Sequence, residues 1–202
     1  MIMEVLITEK IGKQGFELIS EQLGAILLLE LSNQKKIQCK TFNLDVYNER
    51  QNPIASSEGI VINVSLNNIA ISSHTEREFD SVLNFFVDVY VNGDQSIDLS
   101  GDAETSQKLN LLIGWVRYIL SSTRYKTLAF DNGMIMGTYI RNIQFDDNFG
   151  EQNGTFSRMA RISFEVRAVE GQDMDNGILL GQNNSIIKLE ETELGYKYNF
   201  VN

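Results

Sequence analysis

Residues 102–122 repeat their apolar positions with the period of a helix: Leu109, Leu112, Ile113, Val116 and Leu120 fall at the spacing that builds one buried face. Leu111, Trp115 and Tyr118 form a second stripe roughly 100° away, where a surface helix is normally polar. The surplus is explained either by self-association or by a helix buried on two sides within its own domain. Residues 15–31 predict an earlier helix, with Phe16, Ile19, Leu23, Ile26 and Leu27 on one stripe and Lys35 and Lys36 just past its end, where cations suit the helix dipole.

The period changes to two elsewhere. Residues 41–47 set Phe42, Leu44 and Val46 against Asn43, Asp45 and Tyr47, and residues 60–66 set Ile60, Ile62, Val64 and Leu66 against Asn63 and Ser65. In residues 81–91, Leu83, Phe85, Val87, Val89 and Val91 share a face. The opposite face carries Val82, Asn84, Phe86, Asp88 and Tyr90, mixed enough to lie at a contact. Residues 127–130 and 134–145 predict a short and a longer strand joined by the turn Asp131-Asn132-Gly133. Residues 158–169 alternate strictly, Ala160, Ile162, Phe164, Val166 and Ala168 against Arg161, Ser163, Glu165 and Arg167. Residues 48–59, with the only proline, and 146–157 read as loops.

This order predicts an α+β domain over residues 1–170, a mixed or antiparallel sheet with two main helices packed on one face. Residues 171–202 follow as a C-terminal β-rich extension. There Ile186, Ile187, Leu189, Tyr196, Tyr198 and Phe200 offer alternating apolar contacts, and residues 171–181 suit a hinge. The expectation is an interaction arm whose strands add to a neighbour's sheet edge. The competing reading is a hairpin that covers the domain's own sheet.

Composition narrows the function classes. At 202 residues and 43% hydrophobic content the chain can bury a core without disulfides, and no apolar run approaches the ~18 residues of a membrane span. The N-terminal residues lack the pattern of a secretion signal, which leads us to expect a cytoplasmic product. A net charge of −10 argues against binding nucleic acid by neutralising phosphates, though an acidic surface suits nucleic acid that slides past without sticking. One cysteine, Cys39, read as a half-buried residue, and one histidine, His74, read as solvated, give no disulfide and no His-rich zinc site. Asp173, Asp175 and Gly177 echo a calcium loop with the glycine one position early and Asn184 where a ligating glutamate would stand. Phosphate-loop and nucleophile-elbow motifs are missing, so we expect no catalytic residue and no cofactor.

The segment Asn84-Phe85-Phe86-Val87-Asp88-Val89-Tyr90-Val91, the helix from Leu109 to Leu120 carrying Gly114-Trp115, the run Thr127-Leu128-Ala129-Phe130 and the closing Arg161-Ile162-Ser163-Phe164-Glu165-Val166 together resemble the tail-terminator and tail-completion proteins of long-tailed bacteriophages. The likeness is one of element order and hydrophobic texture over residues 15–170. It implies a structural virion protein, not an enzyme. Such a protein forms a ring, typically a hexamer, that stops polymerisation of the tail tube and joins tail to neck, assembled in the host bacterial cytoplasm. Tail tube and neck proteins would be its partners, and DNA would pass through its lumen without specific binding. On that reading Leu111, Trp115, Tyr118, Phe86 and Tyr90 are candidate oligomer contacts, and Ile186, Leu189, Tyr196, Tyr198 and Phe200 candidate partner contacts. The first helix and the loops at 48–59 and 146–157 would lie at ring edges or the lumen. The extension after Gly171 exceeds the compact pattern, and neck or connector adaptors and tube proteins use similar arms; a component of a bacterial injection system shares the same ring logic. A small-molecule-binding or hydrolytic α+β domain is the alternative of a different class.

Overall fold

The computed structural model describes residues 10, 12–51, 58–73, 78–94, 101–130, 133–146, 151–152, 155–171, 186–192 and 195–201. His74, the calcium-like sequence at 173–184 and the hinge at 172–181 lie outside them.

Helix α1 spans Gly15–Ile37, six residues beyond the predicted end. Its start is fixed by the Glu17 carboxylate, which accepts a hydrogen bond of 2.7 Å from the Gln14 backbone N–H. A larger residue at its first position would have to displace a side chain. A Cβ on Gly15 would meet the buried Glu170 carboxylate at 2.7 Å. At the other end the backbone turns left-handed at Cys39 (φ 51°), and the Lys40 N–H bonds back to the Lys35 carbonyl at 2.9 Å. Cys39 is therefore exposed, not half-buried as expected.

Strands β1 (Leu44–Asn48), β2 (Ile60–Ser73) and β3 (Glu78–Asp94) follow, then helix α2 (Gly101–Ser121). After α2 come β4 (Ile135–Asp146), the short β5 (Glu151–Gln152), β6 (Thr155–Gly171), β7 (Ile186–Thr192) and β8 (Gly195–Val201). They form one sheet in the order β4-β6-β3-β2-β1-β8-β7, with β5 on the end of β6. Only β1–β2 is parallel, so the sheet is mixed and the fold is α+β.

Both helices lie on one face. Their apolar stripes, Ile19, Leu23 and Leu27 with Leu109, Leu112 and Val116, join one core with the inward residues of β1, β2, β3 and β6. Phe85 and Phe164, opposite one another in the β3–β6 ladder, are its largest fully buried side chains.

Three expectations are corrected. Residues 127–130 are a turn, not a strand: after a 3-10 turn at Thr123–Tyr125, Leu128 and Ala129 take left-handed φ of 50° and 61°. The alternation there comes from a turn that buries Leu128 and Phe130 against the core, which imitates strand periodicity. The strand predicted at 60–66 runs on to Ser73 across an irregularity between Leu66 and Asn68, pairing with a β3 that starts at Glu78. Beyond Leu66 its side chains are mostly solvated (Ile71 is 64% exposed), so no periodic signal marks it. Finally, the C-terminal hairpin β7–β8 joins the chain's own sheet, with Tyr47 opposite Lys197 and Asn48 opposite Tyr196. β1 pairs on one side only with β2, and β8 covers its other side.

Candidate assembly surface

The second stripe of α2 is not a face. Trp115 is 9% exposed and belongs to the core, its ring tilted against Phe42 with centroids 6.2 Å apart. Leu111 is half-buried against the same core, and only Tyr118, 78% exposed, points to solvent. Burial on two sides within the domain explains the surplus at Leu111 and Trp115: α1 packs beside α2, and the chain entering β1 brings Phe42 over Trp115. An open cleft of about 400 Å³ between the helices is lined by Glu30, Trp115, Tyr118 and Tyr125. The Tyr125 hydroxyl donates to the Glu30 carboxylate. Burial, then that bond, push the Tyr125 phenol up to about 12.

The sheet face away from the helices is organised by arginines. The strict alternation of β6 aims Arg161, Glu165 and Arg167 at it, and β3 aims Phe86, Asp88 and Tyr90 there. Asp88 and Arg161 stand directly opposite in the ladder and close a two-point ion pair at 2.7 and 2.8 Å. The Arg161 guanidinium also lies 4.2 Å from the centroid of the Phe86 ring. Tyr90 donates to Asp88 at 3.3 Å and is only 6% exposed, packed with Tyr47, Val61 and Met159. Burial first, and the Asp88 charge next, raise its phenol.

The same construction recurs on either side. Toward β1, Arg50 makes two bonds to Glu58 at 2.8 and 2.7 Å and stacks 4.5 Å from the Tyr47 ring centroid. Burial works against its charge, and Glu58 more than restores it, so its guanidinium is raised. Asn63 of β2 holds the Arg50 backbone at both ends, accepting from its N–H at 2.9 Å and donating to its carbonyl at 3.1 Å. Toward β4, Glu165 accepts from Arg141 at 2.7 and 2.6 Å and from Arg167 at 2.9 Å. Both guanidiniums lie over Tyr139, 4.9 and 5.2 Å from its centroid. Hydrogen bonding to Arg141, against the cost of burial, and then to Arg167 lowers the Glu165 carboxyl to about 2.

Of the five residues expected at an oligomer contact, the structure thus brings Phe86 and Tyr90 together on this face and leaves Tyr118 alone on α2. Phe86 and Tyr90 are covered by Arg161 and by the cluster around Tyr47, so neither is a bare apolar contact. Ile186, Leu189, Tyr196, Tyr198 and Phe200 sit on the β7–β8 ladder, with Leu189 opposite Tyr198. Sequence reasoning missed the arginine pairs. Asp88 and Arg161 each read as an outward position on an alternating strand, but nothing in either period says that these strands, 73 residues apart at the pair, lie side by side.

Among the described residues no group of three or more His, Cys, Asp or Glu side chains could hold a metal ion, and no helix is long and apolar enough to cross a membrane. What this surface does chemically is neutralise its own cations. No protein-family model matches this chain, and no curated protein matches it significantly.

Proposed function

We propose that this chain is a structural assembly protein, a ring subunit that ends a phage tail tube and joins it to the neck. The observation that carries the reading is the one-sided sheet: both helices cover one face, and on the other the partly exposed Arg161, Arg141 and Arg167 each hold a carboxylate and lie over an aromatic ring, beside a buried Arg50–Glu58 pair. Cations already paired release few counterions from DNA, so this surface suits the wall of a passage that a polyanion crosses without being held. Aromatic bodies topped by planar guanidiniums also suit the seating of a further protein layer. The reading extends to other tube or neck components, which share the ring and differ in what they stack upon.

The experiment is electron microscopy of the purified chain, alone and mixed with isolated tail tubes. Rings that cap tube ends support the reading. A chain that remains monomeric and leaves tubes uncapped overturns it.

A further inference from the structure

One construction recurs in this protein: a guanidinium held by a carboxylate while it lies over an aromatic ring. Arg50, Arg161, Arg141 and Arg167 each meet their carboxylate at 2.9 Å or less and their ring centroid at 5.2 Å or less. The cleft of about 400 Å³ between α1 and α2 has the carboxylate and the rings without a seated arginine. Glu30, its side chain 17% exposed, supplies the carboxylate, and Trp115, Tyr118 and Tyr125 supply aromatic walls. The chain's own Arg124 reaches only the rim. It stands 3.9 Å from Glu30 Oε1 and 5.9 Å from the Tyr125 centroid, with its side chain 78% exposed. Tyr125 donates to that same Oε1, and the other oxygen, Oε2, accepts no hydrogen bond among the described residues. Tyr118 likewise has no hydrogen bond, ring contact or cation among them.

We propose that this cleft seats an arginine side chain of a partner protein. Glu30 meets its charge and the rings of Trp115 and Tyr118 its faces. The cleft lies at the C-terminal end of α2, whose last turn holds no basic residue, and that end of a helix favours a cation. A guanidinium suits it better than an ammonium, because it lies flat on a ring while its fork meets a carboxylate. Beside Tyr118 the wall is open at Gly114, where an added Cβ would meet nothing within 4 Å, which leaves room for the main chain that carries the arginine. Arginine, tryptophan and tyrosine are the side chains that dominate binding energy at protein interfaces, and a chain of net charge −10 draws basic partners. The inference goes beyond the ring reading and does not rest on it.

Trp115 is the only tryptophan in the chain, so its emission reports on the cleft. The probe is a blocked Gly-Arg-Gly tripeptide, titrated into the full-length protein beside its citrulline counterpart, which keeps the shape and lacks the charge. The arginine peptide should change the emission saturably, with a midpoint of roughly 1 mM, and the citrulline peptide should not. Glu30→Gln, with unchanged circular dichroism, should weaken binding at least about tenfold, and Tyr118→Ser, at an exposed side chain, at least about threefold. Arg124→Ser removes the competitor at the rim and should tighten binding. If Glu30→Gln does not fold, Tyr118→Ser and Arg124→Ser decide. No saturable change at roughly ten times the expected midpoint, in the wild type or in Arg124→Ser, overturns the inference. Equal binding of the citrulline peptide overturns it too, as does binding indifferent to Glu30→Gln and Tyr118→Ser. Tighter binding of butylguanidinium than of the tripeptide would overturn the protein partner and assign the cleft to a free organic cation.

Discussion

Trp115 and Tyr118 lie three residues apart on one helix and have opposite fates. Trp115 packs against Phe42 in the core, so Trp115→Ala should cost roughly 3–5 kcal/mol and lower the melting temperature by roughly 10 °C. Tyr118→Ser should change stability by less than about 0.5 kcal/mol. Thermal melts of the two variants check this, and equal, small effects would place Trp115 outside the core. Glu165 makes a second residue-scale prediction. Its folded carboxyl, at about 2, lies below the ordinary value of 4.5, so protonation costs the folded state more than the unfolded one. The stability it supplies is whole above about pH 4.5 and is lost as pH falls toward 2. Glu165→Gln should therefore flatten that part of the acid limb in a pH series of denaturant melts. An unchanged slope would mean Arg141 and Arg167 do not hold the carboxylate in solution. Neither fate was legible in the sequence. The spacing of Leu111, Trp115 and Tyr118 marks a second stripe, but not that Phe42 covers Trp115, and Glu165 reads only as an outward position on an alternating strand.

At the scale of elements, legibility followed how one-sided each burial is. β6 was plain because one face is core and the other is charged. The far half of β2 was not, since both of its faces are largely solvated. The turn at 127–130 misled because Leu128 and Phe130 are buried two positions apart, as in a strand. Its left-handed backbone supplies a test whose sign separates the readings. Ala129→Gly relieves strain at φ 61° and should raise stability by up to about 1 kcal/mol, whereas glycine in a strand would lower it by a similar amount. Chemical denaturation measures either. The arm was placed by composition but not by partner. With β8 on β1, a chain cut after Glu170 bares the outer edge of β1. That chain should stay folded and melt a few degrees lower, and loss of the cooperative transition altogether would contradict this.

For the whole molecule, the sheet with two helices on one face was within reach of the sequence because it depends on periodicity, which each strand carries by itself. The arginine pairs that cross the ladders were not, because they join different strands, Asp88 with Arg161 and Glu165 with Arg141, and periodicity within one strand does not say which strand lies beside it. Those pairs make the partly exposed face of β3, β6 and β4 electrically quiet. A molecule so built is expected to act through surfaces repeated around a ring. Mass photometry of the purified wild-type chain across a hundredfold range of concentration tests that most directly. The account predicts one discrete closed oligomer, about six copies, growing at the expense of monomer with no larger species. A single peak at the monomer mass over the whole range, or an open-ended ladder of masses, would contradict it.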